Sequence, residues 1–188
     1  MRATKRDELV EKALATFYRN GFHATGMDRL VAETGISKTS MYKHFRTKED
    51  LILAALRLRD ERFRTWLYGR MEALADTPAR QLLAAFDALG EWFRSPDFHG
   101  CMFVKANAEY QQADHPIRSQ ATEHKRLIVN HFTTLAAGAG ARRPEDLAEQ
   151  LVILKEGAIA VAAIGLDMDA AGQARRIAEG ILDRGGIG

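Results

Sequence analysis

Between Lys38 and Lys43 the chain reads Lys-Thr-Ser-Met-Tyr-Lys, five hydrogen-bond donors around one apolar residue. Ammonium and hydroxyl groups at that density can donate to phosphate oxygens and to the edges of nucleic-acid bases, provided one helical face carries them. Cys101 is the single cysteine, with Lys105 four residues on. It reads either as an inert small hydrophobe or as a redox or electrophile sensor whose thiolate a lysine stabilises. His124 and His131 are seven apart, a rise of roughly 10.5 Å along a helix, too far to share a metal ion within one chain. No metal centre and no cofactor are expected. Catalysis has little to work with. A Gly-rich phosphate loop, H-E-x-x-H and C-x-x-C are all absent, and the Glu-x-x-His pair of di-iron bundles is missing, since Gln112 follows Glu109 and Arg126 follows Glu123. A Cys101–His99 pair has a spacing of two and no geometry to recommend it, so the protein is not expected to be an enzyme.

These donors need a scaffold. Of 188 residues, 46% are hydrophobic and 28% charged, the composition of an ordinary globular chain. The start, MRATKRDEL, lacks an apolar core, and the uncharged apolar run GAIAVAAIGL is about half of the roughly 20 residues that span a bilayer. A cytoplasmic protein without a membrane partner is expected, and a lone cysteine agrees with a reducing compartment. Net charge is +2, but residues 1–48 hold ten Lys/Arg against five acids while the remainder is mildly acidic. A basic head on an acidic body suits a polyanionic partner, or is simply a solvated face.

Apolar residues recur at helical spacing and no stretch alternates with period two, so an all-α fold is expected. Residues 5–20 carry Leu9, Ala13, Leu14 and Phe17 on one face and should stop at Asn20-Gly21. Thr25 can cap a short helix over 26–34, and Ser37 caps a second from Lys38 to about Phe45. Lys48-Glu49 opens a long helix to around Met71. Two short helices separated by Thr-Gly-Ile-Ser form a helix-turn-helix pattern, with Gly35 permitting the turn and Ile36 plugging its angle. On the second helix Met41 and Phe45 can pack inward with Met27, Leu30, Val31 and Ile36. That leaves Lys38, Thr39, Ser40, Tyr42 and Lys43 facing out.

The segment GFHATGMDRLVAETGISKTSMYKHFRTKEDLILAAL closely resembles the DNA-binding domain of tetracycline-repressor-like (TetR) transcription regulators, over about residues 5–56. The resemblance implies a three-helix DNA-binding domain, residues 1–47, followed by a helical ligand-binding and dimerisation domain, residues 48–188. It implies that Thr25 and Tyr42 touch the sugar-phosphate backbone and that Lys48 neutralises a phosphate, a role its place at a helix N-terminus also favours. Lys38, Thr39, Ser40 and Lys43 are then the expected base readers, and His44 a backbone contact. The chain departs from the family at Gly26, commonly Ser or Thr, and at Thr39, often Gly.

One such head reads half a site, so a homodimer on a palindromic double-stranded operator is expected. Residues 116–136, with His124, Ile128, His131 and Leu135, and residues 145–166, with Ile159 and Ala163, read either as a four-helix dimer interface or as the core of one chain. Residues 50–113 are expected to hold an unidentified small hydrophobic or aromatic effector. Phe63, Trp66, Phe86, Phe93, Met102, Phe103, Asn107 and Tyr110 are its candidate lining, plain core being the competing reading. Asn107 is expected on a buried face. Glu156, inside an apolar run, is either an interface hydrogen-bonding group or a pocket acid. The expected function is a ligand-responsive transcriptional repressor. An architectural or effector-independent DNA-binding protein is the alternative.

Overall fold

The computed structural model describes residues 4–166 and 169–187, and these form helices without strands. Arg2, one of the head's cations, lies outside the described residues. In order the helices are α1 (Lys5–Asn20), α2 (Met27–Thr34), α3 (Lys38–His44), α4 (Lys48–Leu74), α5 (Pro78–Phe93), α6 (Met102–Glu109), α7 (Pro116–Gly138), α8 (Pro144–Ala163) and α9 (Ala170–Arg184).

Local chemistry explains most of the helix ends. Thr4 and Asp7 form a reciprocal capping box at the start of α1. Ser37 accepts from the Ser40 amide at 3.2 Å, and Thr77 with Pro78 opens α5. Gly35 closes α2 in the left-handed conformation at φ 69°. Gly21 closes α1 at φ 80°, and a Cβ there would also meet Glu109 Oε1 at 3.0 Å. The expected Thr25 cap does not form. Gly26 occupies the cap position of α2 without a side-chain bond, and the Thr25 hydroxyl instead donates to Gly21 O at 2.7 Å, closing the turn after α1. α9 had no distinct signal, because its buried face consists mainly of Ala170, Ala171, Ala174 and Ala178.

Packing divides the chain into two units. The first joins α1–α3 and the α4 residues up to Arg62 to Met102–His124; the second joins Phe63–Cys101 to the residues from Lys125 on. The physical reason is that α4 and α7 are long single helices contributing side chains to both cores. In the first unit Phe17, Phe22, Leu30, Met41, Ile52 and Leu56 are almost wholly buried. In the second, α5, α8 and α9 pack on one another around Leu67, Phe86, Phe132 and Leu151. No helix among the described residues is long and apolar enough to cross a membrane.

Candidate nucleic-acid interface

α3 is two turns long and is held from behind. Met41 is 1% exposed and Phe45 is buried, with the Arg6 guanidinium 4.9 Å over the Phe45 ring. Lys38, Thr39, Tyr42, Lys43 and His44 are exposed, Ser40 half-buried. Tyr42 keeps 48% of its surface although it is a large aromatic residue. Lys38 lies 3.4 Å from Asp28 at the start of α2, an exposed pair with little hold on either side chain. The geometry presents a row of donors on a short rigid helix, the shape that enters a major groove.

Two of the expected phosphate contacts are placed differently. Thr25 is completely buried, its hydroxyl bonded within the turn, so no phosphate can reach it. Lys48 is half-buried, and its ammonium donates to Phe22 O at 3.0 Å and Thr25 O at 3.3 Å. It therefore braces the turn between α1 and α2, whose carbonyls have no helical partners.

A further brace carries no local sequence signal. The Glu109 carboxylate, at the end of α6, accepts from the Phe22 amide at 3.0 and 3.1 Å and from the His23 amide. One helical turn earlier, Lys105 donates to Tyr18 O at 3.1 Å, near the C-terminus of α1. Neither residue is recognisable as a head contact from sequence, because their partners lie 87 positions away. Glu109→Ala is expected to cost about 1.5–3 kcal/mol, the range for hydrogen bonds to a charged acceptor. Hydrogen exchange at the Phe22 and His23 amides should accelerate; unchanged protection would show the contact to be idle.

The candidate effector residues fall into different units: Phe63, Trp66, Phe86 and Phe93 in the second, Met102, Phe103, Asn107 and Tyr110 in the first. Phe63 and Phe86 are core. Trp66 and Phe93 are half-buried and belong to an aromatic group with Trp92 and Phe98. Asn107 is exposed, contrary to expectation, since Phe103, Ala106 and Tyr110 take the inner side of α6. The Tyr110 hydroxyl is buried without a hydrogen-bond partner, and burial, aided by Glu49 and Glu109, pushes its pKa up to about 12.

The interface candidates also need correction. His124, Ile128 and Ile159 are buried within the chain itself and have almost no surface to offer a partner. His124 instead bonds Asp60 at 2.7 Å and stacks on Phe103. His131 stacks on Tyr68, and burial lowers its pKa. Leu135 is half-buried and Ala163 exposed. The outer side of α8 carries Ile153, 73% exposed, then Gly157, Ala160 and, just past the helix end, Ile164 at 72%.

Cys101 has a lysine neighbour, but it is Lys125, whose ammonium lies 3.3 Å from the sulfur. Lys105 is occupied at Tyr18. Glu156 binds Lys125 at 2.6 Å and Lys155 at 2.7 Å. Burial alone would raise the Glu156 pKa, but the Lys155 and Lys125 charges and their hydrogen bonds outweigh it and hold the carboxyl at about 2. A depressed carboxyl contributes stability above the unfolded value, near pH ~4, and loses it as pH falls towards the folded one. Acid unfolding followed by circular dichroism should therefore be shallower over that window in Glu156→Gln than in the parent. Identical profiles would remove this assignment.

Residues 9–55 match the family model described as bacterial regulatory proteins, tetR family. A Streptomyces avermitilis protein described as a TetR transcriptional regulator has the same fold, with a TM-score of 0.85, 30% identity, and coverage of 99% of this chain and 100% of its own. A TetR-family transcriptional regulator from Streptomyces coelicolor superposes with a TM-score of 0.88 at 29% identity, covering 96% and 95%. The HTH-type transcriptional regulator YjdC of Escherichia coli (strain K12) is 23% identical over 178 residues, 95% of this chain and 93% of its own. With a helix-turn-helix head whose third helix turns its donors outward, and with these likenesses extending over the whole length, the chain belongs to the TetR family of DNA-binding transcriptional regulators rather than to the enzymes.

Proposed function

We propose that the protein is a ligand-responsive repressor that grips a palindromic operator as a homodimer and lets go when a small hydrophobic or aromatic effector binds. The observation that carries the reading is the outer face of α3, with Tyr42 exposed over a buried Met41. Lys38, Thr39, Ser40 and Lys43 read base edges, and Tyr42 and His44 position the helix on phosphates.

Pairing is supported by the outer side of α8. Ile153, Gly157, Ala160 and Ile164 are spaced by four, three and four, which aligns them as one seam with small residues at its middle. Large exposed aliphatic residues in such a row mark an association surface. Ile153→Asp is expected to convert a dimer to a monomer in sedimentation and to weaken operator binding at least tenfold, since one head reads only half a site. A monomeric parent protein would sink the pairing. Selection of bound sites from a random duplex pool tests the reading as a whole. Two inverted half-sites about one helical turn apart, roughly 34 Å, are expected; retention without any preferred site would favour an architectural role.

The effector acts on α4, which contributes Lys48 to the brace of the head and Phe63 and Leu67 to the core of the second unit. DNA and ligand prefer different tilts of that helix. A coupling of about 1–3 kcal/mol suffices for release.

A further inference from the structure

The second unit contains an ion cluster that DNA binding does not use. Lys155 is 1% exposed. Its ammonium donates to Glu156 Oε1 at 2.7 Å and lies 5.7 Å from the centre of the Phe63 ring. Lys125 donates to Glu156 Oε2 at 2.6 Å and to Cys101 Sγ at 3.3 Å. Two lysine amines thus share one carboxylate; with both protonated the cluster holds one positive charge in surplus, and burial opposes that charge by lowering the Lys155 pKa, a cost that an anion beside it would offset. Buried charges are tolerated when paired, so a surplus this deep favours an anion beside it.

The surroundings suit a particular kind of anion. Lys125 and Glu156 each retain about a quarter of their side-chain surface, 26% and 25%, so the cluster is reached from solvent with Lys155 at its inner end. Beyond Lys155 the neighbours are aromatic. Phe63 packs on Trp66 at 5.6 Å and on Trp92 at 5.1 Å, and Trp92 on Phe98 at 4.9 Å. Trp66, Trp92 and Phe98 are half-buried, so this aromatic group extends to the surface of the unit.

We propose that the effector is an amphipathic monoanion, an alkyl or aromatic carboxylate, whose acid group binds at Lys125 and Lys155 and whose apolar body lies on Trp66, Trp92 and Phe98. The proposal rests on the reading of the protein as effector-controlled and names the chemistry of that effector. Ligand sites combine an apolar wall with a few placed polar groups, and a charge-assisted bond to a lysine supplies both affinity and orientation.

Trp66 and Trp92 are the only tryptophans in the chain, so tryptophan emission reads this site alone. The protein is titrated with decanoate, decanol and decylamine at concentrations where each is monomeric in solution. Decanoate is expected to quench emission and to bind about tenfold more tightly than decanol, the ratio that one additional charge-assisted bond supplies, with decylamine weakest. Lys155→Met brings the cluster to neutrality and is expected to erase the preference for the acid. Glu156→Gln raises the surplus to two while keeping an acceptor oxygen for the lysines, and is expected to increase that preference, a shift that loss of folding cannot mimic.

Equal binding of the three compounds, no quenching by any of them, or a preference unchanged in Lys155→Met would overturn the proposal. So would an ultraviolet thiolate band from Cys101 at neutral pH, because a thiolate would cancel the surplus. Release of labelled operator is measured in parallel. Decanol releasing DNA as well as decanoate does would defeat the anion and leave effector control standing. Decanoate that quenches emission yet leaves DNA binding unchanged would support the anion site and defeat its effector role.

Discussion

Replacing Tyr42 and Lys43 together by alanine is expected to weaken operator binding about 100-fold or more without lowering the thermal unfolding midpoint. Both side chains are exposed on α3 and neither is a core residue, so their loss removes the proposed DNA contacts and little else. Contacts of this kind contribute about 1–3 kcal/mol each, and 1.4 kcal/mol is a factor of ten. Met41→Ala, one position away, should behave in the opposite manner. Met41 is 1% exposed, and truncating a buried methionine costs about 2–5 kcal/mol, so the protein loses stability first and DNA affinity as a consequence. Fluorescence anisotropy on the selected operator, with calorimetry on the same samples, separates the two. Undiminished affinity in the double variant would remove α3 as the reading helix.

Asp60→Ala is expected to be among the most damaging single substitutions for stability, at about 3–5 kcal/mol, as for other buried pairs deprived of one partner. The Asp60 and His124 side chains are 9% and 2% exposed and meet at 2.7 Å, and the His124 ring lies flat on Phe103 with centroids 3.7 Å apart. Without the carboxylate, the imidazole nitrogen loses a charged partner in a place that little water reaches. A small domain has only about 5–15 kcal/mol to lose, so the variant should unfold at markedly lower denaturant concentration. Asp60→Asn, which keeps an acceptor oxygen, should lose less. A midpoint within error of the parent for Asp60→Ala would mean that the pair is not a structural tie.

Features that depend on near neighbours along the chain are legible from the order of residues. Thr4 with Asp7, Ser37 with Ser40 and Thr77 with Pro78 act across no more than three positions. The positive φ at Gly21 and Gly35 follows from the absence of a side chain, and the outward set on α3 from a period of 3.6 residues set against Met41 and Phe45. The helix-turn-helix head and the all-α class rest on signals of that range. The α8 seam is half legible. Its small residues mark a close approach, yet which side of a helix apolar nearly all round meets its own chain is decided by α5 and α9.

The helices of the head, the turn that joins α2 to α3, and the row of donors on α3 are readable in the order of residues, because each depends on residues within one or two turns of one another, whereas α9, buried through alanines, left no such signal. The bracing of the head by Lys48 and Glu109, the inward turn of Thr25, the outward turn of Asn107 and the convergence of Lys125 and Lys155 on Glu156 emerge from packing across the chain. Long charged side chains reach partners up to 88 positions away, and packing of the whole chain, not local spacing, chooses among the carbonyls, amides and carboxylates that could receive them.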